Sequence, residues 1–325
     1  MPLIRIIGRD NGAGLARDLH LLHETLIDAG HETEVVAFGS EKGINLLRET
    51  GLRLQRRWRG RADVQLFVER VYPRLLAAGR RNLLVPNPEW FHRDWRAHLP
   101  RFERVLCKTA HARPLFDRLG CKTAFIGFTS EDRMDAAVPR ERAFLHLAGR
   151  SSAKGTAVLL ETWRRHPEWP RLTVVQAARK VAAHAEVQIA MPAPNIYLRI
   201  GRLPDREVRR LQNLHAFHAC PSEMEGFGHS LMEAMSVGAV ALTTDGAPMN
   251  ELVRPPRGCL VAPAHSTTKD LSPRYFVDTA GIEAGVGSML ALDACAVRFM
   301  GAMARTHFTQ ADAEFRRRLP EVVLG

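Results

Sequence analysis

The sequence predicts an α/β protein with two doubly wound, Rossmann-like domains that face a cleft. Short apolar segments alternate with segments of helical periodicity, and this alternation begins again near residue 142. A length of 325 residues is also comfortable for two such domains. We therefore place the domains at residues 1–138 and 139–325.

The first domain opens with a strand, a helix and a second strand. Leu3–Gly8 is a short apolar run, and Gly14–Gly30 has leucines at helical spacing before a closing glycine. Thr33–Phe38 has the β-branched and apolar residues of a strand. Further strands are predicted at Val64–Val68, Asn82–Pro86, Arg104–Cys107 and Thr123–Phe128.

The second domain repeats the pattern, from a strand at Ala143–Gly149 into a helix at Lys154–Arg165. A helix is also predicted near Asp205–Leu214, and a strand follows the glycine-rich stretch after residue 225. We expect the final helical segment, "QADAEFRRRLP", to pack back on the first domain. The other strands are predicted at Leu172–Gln176, Ile196–Ile200, Ala216–Cys220 and Gly258–Ala262.

Composition argues against several classes of protein. The chain is 46% hydrophobic and 25% charged, as is usual for a soluble globular protein. No apolar run reaches the roughly 20 residues of a membrane span, and the N-terminus lacks the pattern of a secretion signal, so we expect a cytoplasmic protein. No C-x-x-C pair supports a zinc site or a disulfide framework. The cysteines are Cys107, Cys121, Cys220, Cys259 and Cys295.

Basic charge is concentrated in one part of the chain. The formal net charge is +11, and Arg48 to Arg118 contains 17 Arg and Lys against 7 Asp and Glu, a difference of +10. Such a field attracts polyanions, including nucleic acids, anionic lipid head groups and phosphorylated substrates. An arginine-rich solvated surface without a partner is the alternative.

One stretch, "PSEMEGFGHSLMEAMSVG" from residue 221, carries the most specific pattern. Glu225 and Glu233 lie eight positions apart around a Gly-Phe-Gly turn, and a helix is predicted to begin near His229. Amides at a helix N-terminus, approached closely through glycine, favour a phosphate, and Ser230 adds a hydroxyl. Flanking carboxylates accept hydrogen bonds from sugar hydroxyls. The pattern therefore suits a ligand with a sugar on each side of a diphosphate.

The longer segment "EGFGHSLMEAMSVGAVALTTDGAPMNELV" resembles the signature of the retaining group 1 glycosyltransferases, the glycogen-synthase-like family with the GT-B fold. "AGRSSAKGT" resembles that family's Arg and Lys-Gly motif. The resemblance extends from about Ala143 to Val261, and in the first domain it is confined to the Gly-rich start.

The resemblance implies retaining transfer of a hexosyl group from a nucleotide-diphosphate sugar, with no further cofactor. It implies that Glu225 contacts hydroxyls of the donor sugar and that Glu233 holds the ribose. Arg150 and Lys154 would neutralise the departing diphosphate. The residues implied to bind the donor are Gly12, Gly14, Gly226, Phe227, Gly228, His229, Ser230 and Glu233.

The first domain is expected to hold the acceptor. Side chains at its strand ends are the candidates for a catalytic group: Glu69, Asn87, Glu89 and Lys108. We include Glu89 with Glu225, Lys154 and Arg150 in the predicted catalytic set. The aromatic loop "PNPEWFHRDW" is interpreted as a hydrophobic anchor and not as an acceptor platform.

Several alternatives accompany this prediction. Because arginines spread over the whole basic stretch, we favour a hydroxymethylated base in DNA as acceptor. A lipid-linked or polyanionic glycan at a membrane surface is the alternative, with residues 46–61 as a basic amphipathic segment. An inactive, nucleic-acid-binding scaffold is a hypothesis of another class. A dehydrogenase is disfavoured because G-x-G-x-x-G is absent, and no metal site is predicted because no Asp-x-Asp pair occurs.

Overall fold

The computed structural model describes residues 2–10, 12, 14–177 and 193–325. These residues form two compact units, each built around a parallel sheet of six strands. The first unit comprises Met1–Ser130, Asp270–Ser272 and Ala311–Gly325, and the second comprises Glu131–Lys269 and Pro273–Gln310. The predicted α/β class with two doubly wound domains is confirmed.

The sheet of the first unit has the order β2-β1-β3-β4-β5-β6. Apolar side chains such as Ile6, Leu66 and Leu84 are fully buried along the central strands, as is expected where a parallel sheet is covered on both faces. The strands are β1 (Leu3–Arg9), β2 (Glu32–Phe38), β3 (Ala62–Val68), β4 (Gly79–Val85), β5 (Arg104–Cys107) and β6 (Thr123–Phe125).

The helices of the first unit are α1 (Gly14–Asp28), α2 (Lys42–Arg59) and α3 (Ala112–Asp117). The helix α1 buries its leucines under the sheet, which is the periodicity that predicted it. From the sequence, this region was predicted only as a basic amphipathic segment at residues 46–61, within the membrane alternative, and α2 overlaps most of it. Three 3-10 segments were not predicted: Pro73–Ala78, Pro88–Trp90 and Arg93–Arg101.

The sheet of the second unit has the order β12-β11-β10-β7-β8-β9. Its strands are β7 (Glu141–Gly149), β8 (Leu172–Gln176), β9 (Ile196–Ile200), β10 (His215–Cys220), β11 (Val240–Thr244) and β12 (Gly258–Val261). Helices that connect its strands are α4 (Thr156–Arg165), α5 (Asp205–Leu214), α6 (His229–Ser236) and α7 (Met249–Leu252). At the centre of the core, the ring of Phe144 lies 4.9 Å from that of Trp163 and 4.8 Å from that of Phe217.

The chain ends with a hairpin and two helices whose bounds were not predicted from the sequence. They are β13 (His265–Lys269), β14 (Ser272–Phe276), α8 (Thr279–Leu290) and α9 (Ala294–Leu324). Among the residues described, no single helix has the length and apolarity of a membrane span, although α8 and α9 together pass that test across a bend of 108°.

The last part of α9 completes the first unit. Phe315 is fully buried, and its ring lies 4.8 Å from that of Phe128. Arg81 donates a hydrogen bond of 3.0 Å to the carbonyl of Val323, and Arg316 pairs with Asp28 at 3.3 Å. Residues separated by about 200 positions or more therefore belong to one core.

Candidate functional site

The second sheet has its topological switch point between β7 and β10. From β7 the chain continues to β8 and β9 on one side, and it then returns to place β10 on the other side of β7. In open α/β sheets, ligands bind outside the carboxyl ends of the strands at such a point. The loops that follow β7 and β10 are therefore where a site is expected.

Three predicted site residues meet in these two loops. Lys154, after β7, donates hydrogen bonds to a carboxylate oxygen of Glu225 and, at 3.5 Å, to the hydroxyl of Ser230. Ser222 donates to the same Oε1 atom of Glu225 at 2.7 Å. The side chains of Lys154 and Glu225 are 18% and 12% exposed, so the ion pair is shielded but reachable.

Local charge keeps the Lys154 ammonium protonated. Burial alone would lower the pKa of Lys154, but the adjacent Glu225 carboxylate outweighs this effect and raises the pKa. By contrast, burial raises the pKa of the neighbouring Cys220 thiol to about 12, so this cysteine is a neutral thiol near pH 7. The loop after β7 thus contributes a fixed cation, and the end of β10 contributes no thiolate.

Backbone contacts fix the position of Lys154. The next residue, Gly155, has a φ of 65°, and a Cβ atom there would lie 2.2 Å from the carbonyl oxygen of Pro221. Only glycine permits this approach of the two loops. Glu223 adds a hydrogen bond of 2.9 Å from its amide to the carbonyl of Ala153.

The hairpin strand β14 holds the second loop. Arg274 donates to the Glu223 carboxylate at 2.6 Å, and the amide of Tyr275 donates to the Glu223 carbonyl at 2.8 Å. Glu223 therefore connects three segments of the second unit, although it was not among the predicted site residues.

The Gly-Phe-Gly turn lies directly before α6, as predicted. Gly228 is the residue before the helix and has a φ of 113°, which strongly favours glycine. Gly226 is partly exposed, whereas Phe227 is buried and packs its ring 5.5 Å from that of His229. His229 and Ser230 form the first turn of α6, beside the Lys154 and Glu225 pair.

Glu233 lies in α6 and is held by a buried chain of polar groups. Gln212 donates from Nε2 to Oε2 of Glu233 at 2.7 Å, and its own Oε1 accepts from Nε of Arg133 at 3.1 Å. Arg133 also forms two hydrogen bonds with the carboxylate of Asp205, at 2.7 and 3.0 Å. Among the four side chains of this hydrogen-bonded row, Asp205 is the one that is largely exposed.

The Arg133 guanidinium remains charged although it is buried. Burial would lower the pKa of Arg133, but its hydrogen bonds to Asp205 and the charge of Glu233 outweigh that effect and raise the pKa. Neither Arg133 nor Gln212 was predicted from the sequence. The two residues are 79 positions apart, so no local sequence pattern relates them. The acidic residues Glu131 and Asp132 beside Arg133 did mark a charged segment.

Arg150 lies in the turn directly after β7, at the same strand end as Lys154, and its side chain is exposed. Gly12, Gly14 and Glu89 belong to the first unit. Gly12 is exposed and donates its amide to Asp10 at 2.8 Å, Gly14 begins α1, and Glu89 is buried in a 3-10 turn.

The other first-unit candidates lie at consecutive strand ends. Lys108 forms a buried ion pair of 2.9 Å with Asp18, and Asn87 contacts Glu69 at 3.5 Å. Burial raises the pKa of Glu69, whose φ of 63° is unusual for a non-glycine residue. In the aromatic loop Phe91 is buried in the core, consistent with an anchor.

The described residues contain no group of three or more His, Cys, Asp or Glu side chains arranged to hold a metal ion.

Known proteins share this architecture. A family model described as glycosyl transferases group 1 matches residues 128–271, which include Lys154, Glu225 and Glu233. No curated protein sequence matches the chain.

Three solved structures illustrate the structural similarity. Sucrose-phosphate synthase from Thermosynechococcus elongatus has a TM-score of 0.77 at 14% identity, covering 99% of this chain and 98% of that chain. HepE from Anabaena, in complex with UDP and glucose, has a TM-score of 0.73 at 14% identity, with both chains fully covered. WaaG, a glycosyltransferase involved in lipopolysaccharide biosynthesis, has a TM-score of 0.67 at 15% identity, covering 99% of this chain and 100% of that chain. The fold is therefore GT-B.

Proposed function

We propose that this chain, in which residues 128–271 match the family model of the group 1 glycosyl transferases, moves a sugar from a nucleotide-diphosphate sugar to a hydroxyl group of an acceptor. The observation that carries the proposal is the direct contact of Lys154 with Glu225 and Ser230 at the switch point of the second sheet. A shielded ammonium beside hydroxyl and carboxylate groups suits the junction between a diphosphate and a sugar.

Each side chain has a role in this proposal. Lys154, with Arg150 from the same strand end, neutralises charge that develops on the departing diphosphate, and the amides at the start of α6 add to this effect. Both hydrogen bonds to Glu225 end on Oε1. Its second oxygen, Oε2, is thus the atom that would accept a hydrogen bond from a sugar hydroxyl.

Glu233 is proposed to bind the ribose of the nucleotide. Its carboxylate is oriented by Gln212, which Arg133 holds in turn, so a ribose hydroxyl would meet an acceptor of fixed direction. The transfer is proposed to keep the anomeric configuration. The bond from the anomeric carbon to the diphosphate oxygen breaks and its electron pair leaves with the diphosphate. The acceptor oxygen bonds from the same face, and its proton passes to the departing diphosphate oxygen.

UDP sugars are reasonable first donors to test, since HepE, which has the same fold, was solved with UDP and glucose. We keep a hydroxymethylated base in DNA as one acceptor hypothesis. A specific observation supports the second candidate, a lipid-linked or polyanionic glycan at a membrane surface: α2 exposes Leu47 and Trp58 to solvent. Glu89 is kept as a candidate group on the acceptor side.

The test is nucleotide release from UDP-, GDP- and ADP-sugars, with hydroxymethylated DNA, with a lipid-linked glycan, or with no acceptor. Lys154→Met and Glu225→Gln should each lower the rate at least about 100-fold, the usual scale for one group that stabilises transition-state charge. Lys122→Met and Glu161→Gln change the same residue types at exposed positions and should not alter it.

The product from an α-linked donor should be α-linked by NMR, and an inverted product would refute retention. If no donor releases nucleotide while nucleotide binding persists, transfer is refuted and the inactive scaffold is favoured.

A further inference from the structure

Helix α2 (Lys42–Arg59) in the first unit presents an apolar stripe to solvent. Ile44, Leu47, Leu54 and Trp58 are 45%, 73%, 51% and 88% exposed. At about 100° per residue, these four side chains fall within one sector of about 80°. Single exposed apolar residues are normal on a protein surface, but four along one helical stripe indicate a contact surface.

The helix is attached to the unit through a different face. Leu52, which points away from the stripe, is the buried residue among the described side chains of α2. Beside it, a cavity of about 470 Å³ lies between α2 and β2, lined by residues that include Val36 and Leu52. The apolar stripe therefore contributes little to the core, and its apolarity has no explanation from folding.

Exposed basic residues lie beside and behind the stripe. By helical angle Arg48 lies about 80° from the centre of the stripe and Arg53 about 140° from it, and Arg48 also donates a hydrogen bond to the carbonyl of Ala37. The acidic residue of the helix, Glu49, is paired with Arg74 at 3.7 Å. The basic residues in the sequence of α2 are Lys42, Arg48, Arg53, Arg56, Arg57 and Arg59.

Two kinds of polyanion could use this charge, and the apolar stripe distinguishes them. Phosphates of a nucleic acid are bound by cations and hydrogen-bond donors, and such contacts do not require exposed Leu and Trp side chains. An anionic bilayer attracts the same cations and in addition takes up apolar side chains below its head groups. Trp is also favoured at the membrane interface.

Other arginines of the basic stretch are bound within the first unit. Arg81 forms two hydrogen bonds with Glu103, at 2.7 and 2.8 Å, and Arg80 lies 3.6 Å from Asp63. Their charge is partly compensated by these carboxylates. In sequence, α2 has six basic residues against the single acid Glu49, and it combines this excess with exposed apolar surface.

We propose that α2 is a docking surface for an anionic lipid bilayer. The helix lies parallel to the membrane, inserts Leu47, Leu54 and Trp58 among the acyl chains, and places its arginines at the phosphates. This inference does not depend on glycosyl transfer, because it uses no residue of the second unit.

The experiment is flotation of the full chain with vesicles of phosphatidylcholine, with and without 30 mol% phosphatidylglycerol, at about 150 mM salt. We expect binding to the anionic vesicles and at least tenfold weaker binding to neutral ones. The double variant Leu47→Ser with Trp58→Ser should reduce binding at least tenfold. Phe299→Ser, which alters a 57% exposed residue of α9, is the matched control and should bind as the wild type.

The contribution of charge to vesicle binding is tested by Arg53→Glu, which changes the net charge of α2 by two units. Its partition into anionic vesicles should fall about 30-fold, since each charge near the surface contributes about a fivefold change. Arg298→Glu makes the same change at an exposed position of α9 and should have a much smaller effect. Circular dichroism confirms that each variant is folded.

Three outcomes would overturn the proposal. The first is no binding of the wild type to anionic vesicles, and the second is equal loss in the α2 variants and their controls. The third is binding to a 30-base-pair DNA duplex that is lost in the Leu47 and Trp58 double variant, which would assign the stripe to nucleic acid. Nucleotide release without lipid is measured in parallel, so failure of docking is distinguishable from failure of the enzyme.

Discussion

Replacing Gln212 by Met tests the buried connection between Arg133 and Glu233. Methionine has about the length of glutamine but neither donates nor accepts the two hydrogen bonds, which are 3.1 and 2.7 Å long. Arg133 and Glu233 are 4% and 2% exposed, so water cannot readily replace the lost partner.

The size of the effect follows from the charge of both groups. A hydrogen bond to a charged group contributes about 1.5–3 kcal/mol, so the two bonds together contribute about 3–6 kcal/mol. For a protein of this size about 3 kcal/mol lowers the melting temperature by roughly 4 °C. If Glu233 binds the ribose, the affinity for UDP should also fall about tenfold, the equivalent of about 1.4 kcal/mol.

The variant Gln212→Glu should make the stability of the folded protein depend on pH through this same site. Two carboxylates 2.7 Å apart repel by about 6 kcal/mol at an effective dielectric constant of about 20, which raises the shared pKa by about 4 units. One proton is therefore retained in the folded state at acidic pH, where the variant resembles the wild type. Its stability relative to wild type then falls by about 1.4 kcal/mol per pH unit from about pH 4.5 to about pH 8.

Thermal unfolding and isothermal titration with UDP between pH 5 and 8 measure both effects. Arg210→Gln alters an exposed pair with Glu207 on the same helix and serves as the control, with an expected change within about 0.5 kcal/mol. A Gln212→Met protein that melts and binds UDP like the wild type would refute the reasoning. So would a Gln212→Glu protein whose pH profile matches the wild type.

Three further predictions concern the fold, two beside the site and one in the core of the first unit. Gly155→Ala should lower the melting temperature and weaken UDP binding, because its Cβ would lie 2.2 Å from the carbonyl oxygen of Pro221. The control is Gly149→Ala, at a position with a φ of 56° and no such contact. It should lower the melting temperature and the affinity for UDP by less. Burial lowers the pKa of His146 to about 4, below the unfolded value of about 6.5, so acid titrations should show stability lost as pH falls from 6.5 to 4. His146→Gln should remove up to about 3 kcal/mol of this loss. Phe315→Ala should cost about 3–5 kcal/mol in denaturant unfolding, and the absence of a loss would place α9 outside the core.

The strands and the motif loops were predictable because their signals are local. The apolar run at Ala143–Gly149 and the glycines at 226 and 228 reappear as β7 and the turn before α6. The approach of Lys154 to Glu225 was implied by the family resemblance and not by spacing, since 71 positions separate them. The parallel order of the strands brings the two loops together.

Features that depend on distant contacts were not predictable. Arg133 and Gln212 each look like surface residues in sequence, because the buried guanidinium depends on Asp205, which arrives from another segment. The amphipathic character of α2 was visible in part, but the direction of its apolar stripe was not. Periodicity shows that a helix has two faces and does not show which face meets the core.

The long helix α9 also has a consequence for the order in which the protein can fold during synthesis. Phe315 and its neighbours close the core of the first unit, yet they belong to the last 15 residues of the chain, Ala311–Gly325. On the ribosome the sheet formed by residues 3–125 must therefore wait for the rest of the chain before that core is complete. A fragment ending at Ser130 lacks this closure, and supplying residues 311–325 as a separate peptide should restore it.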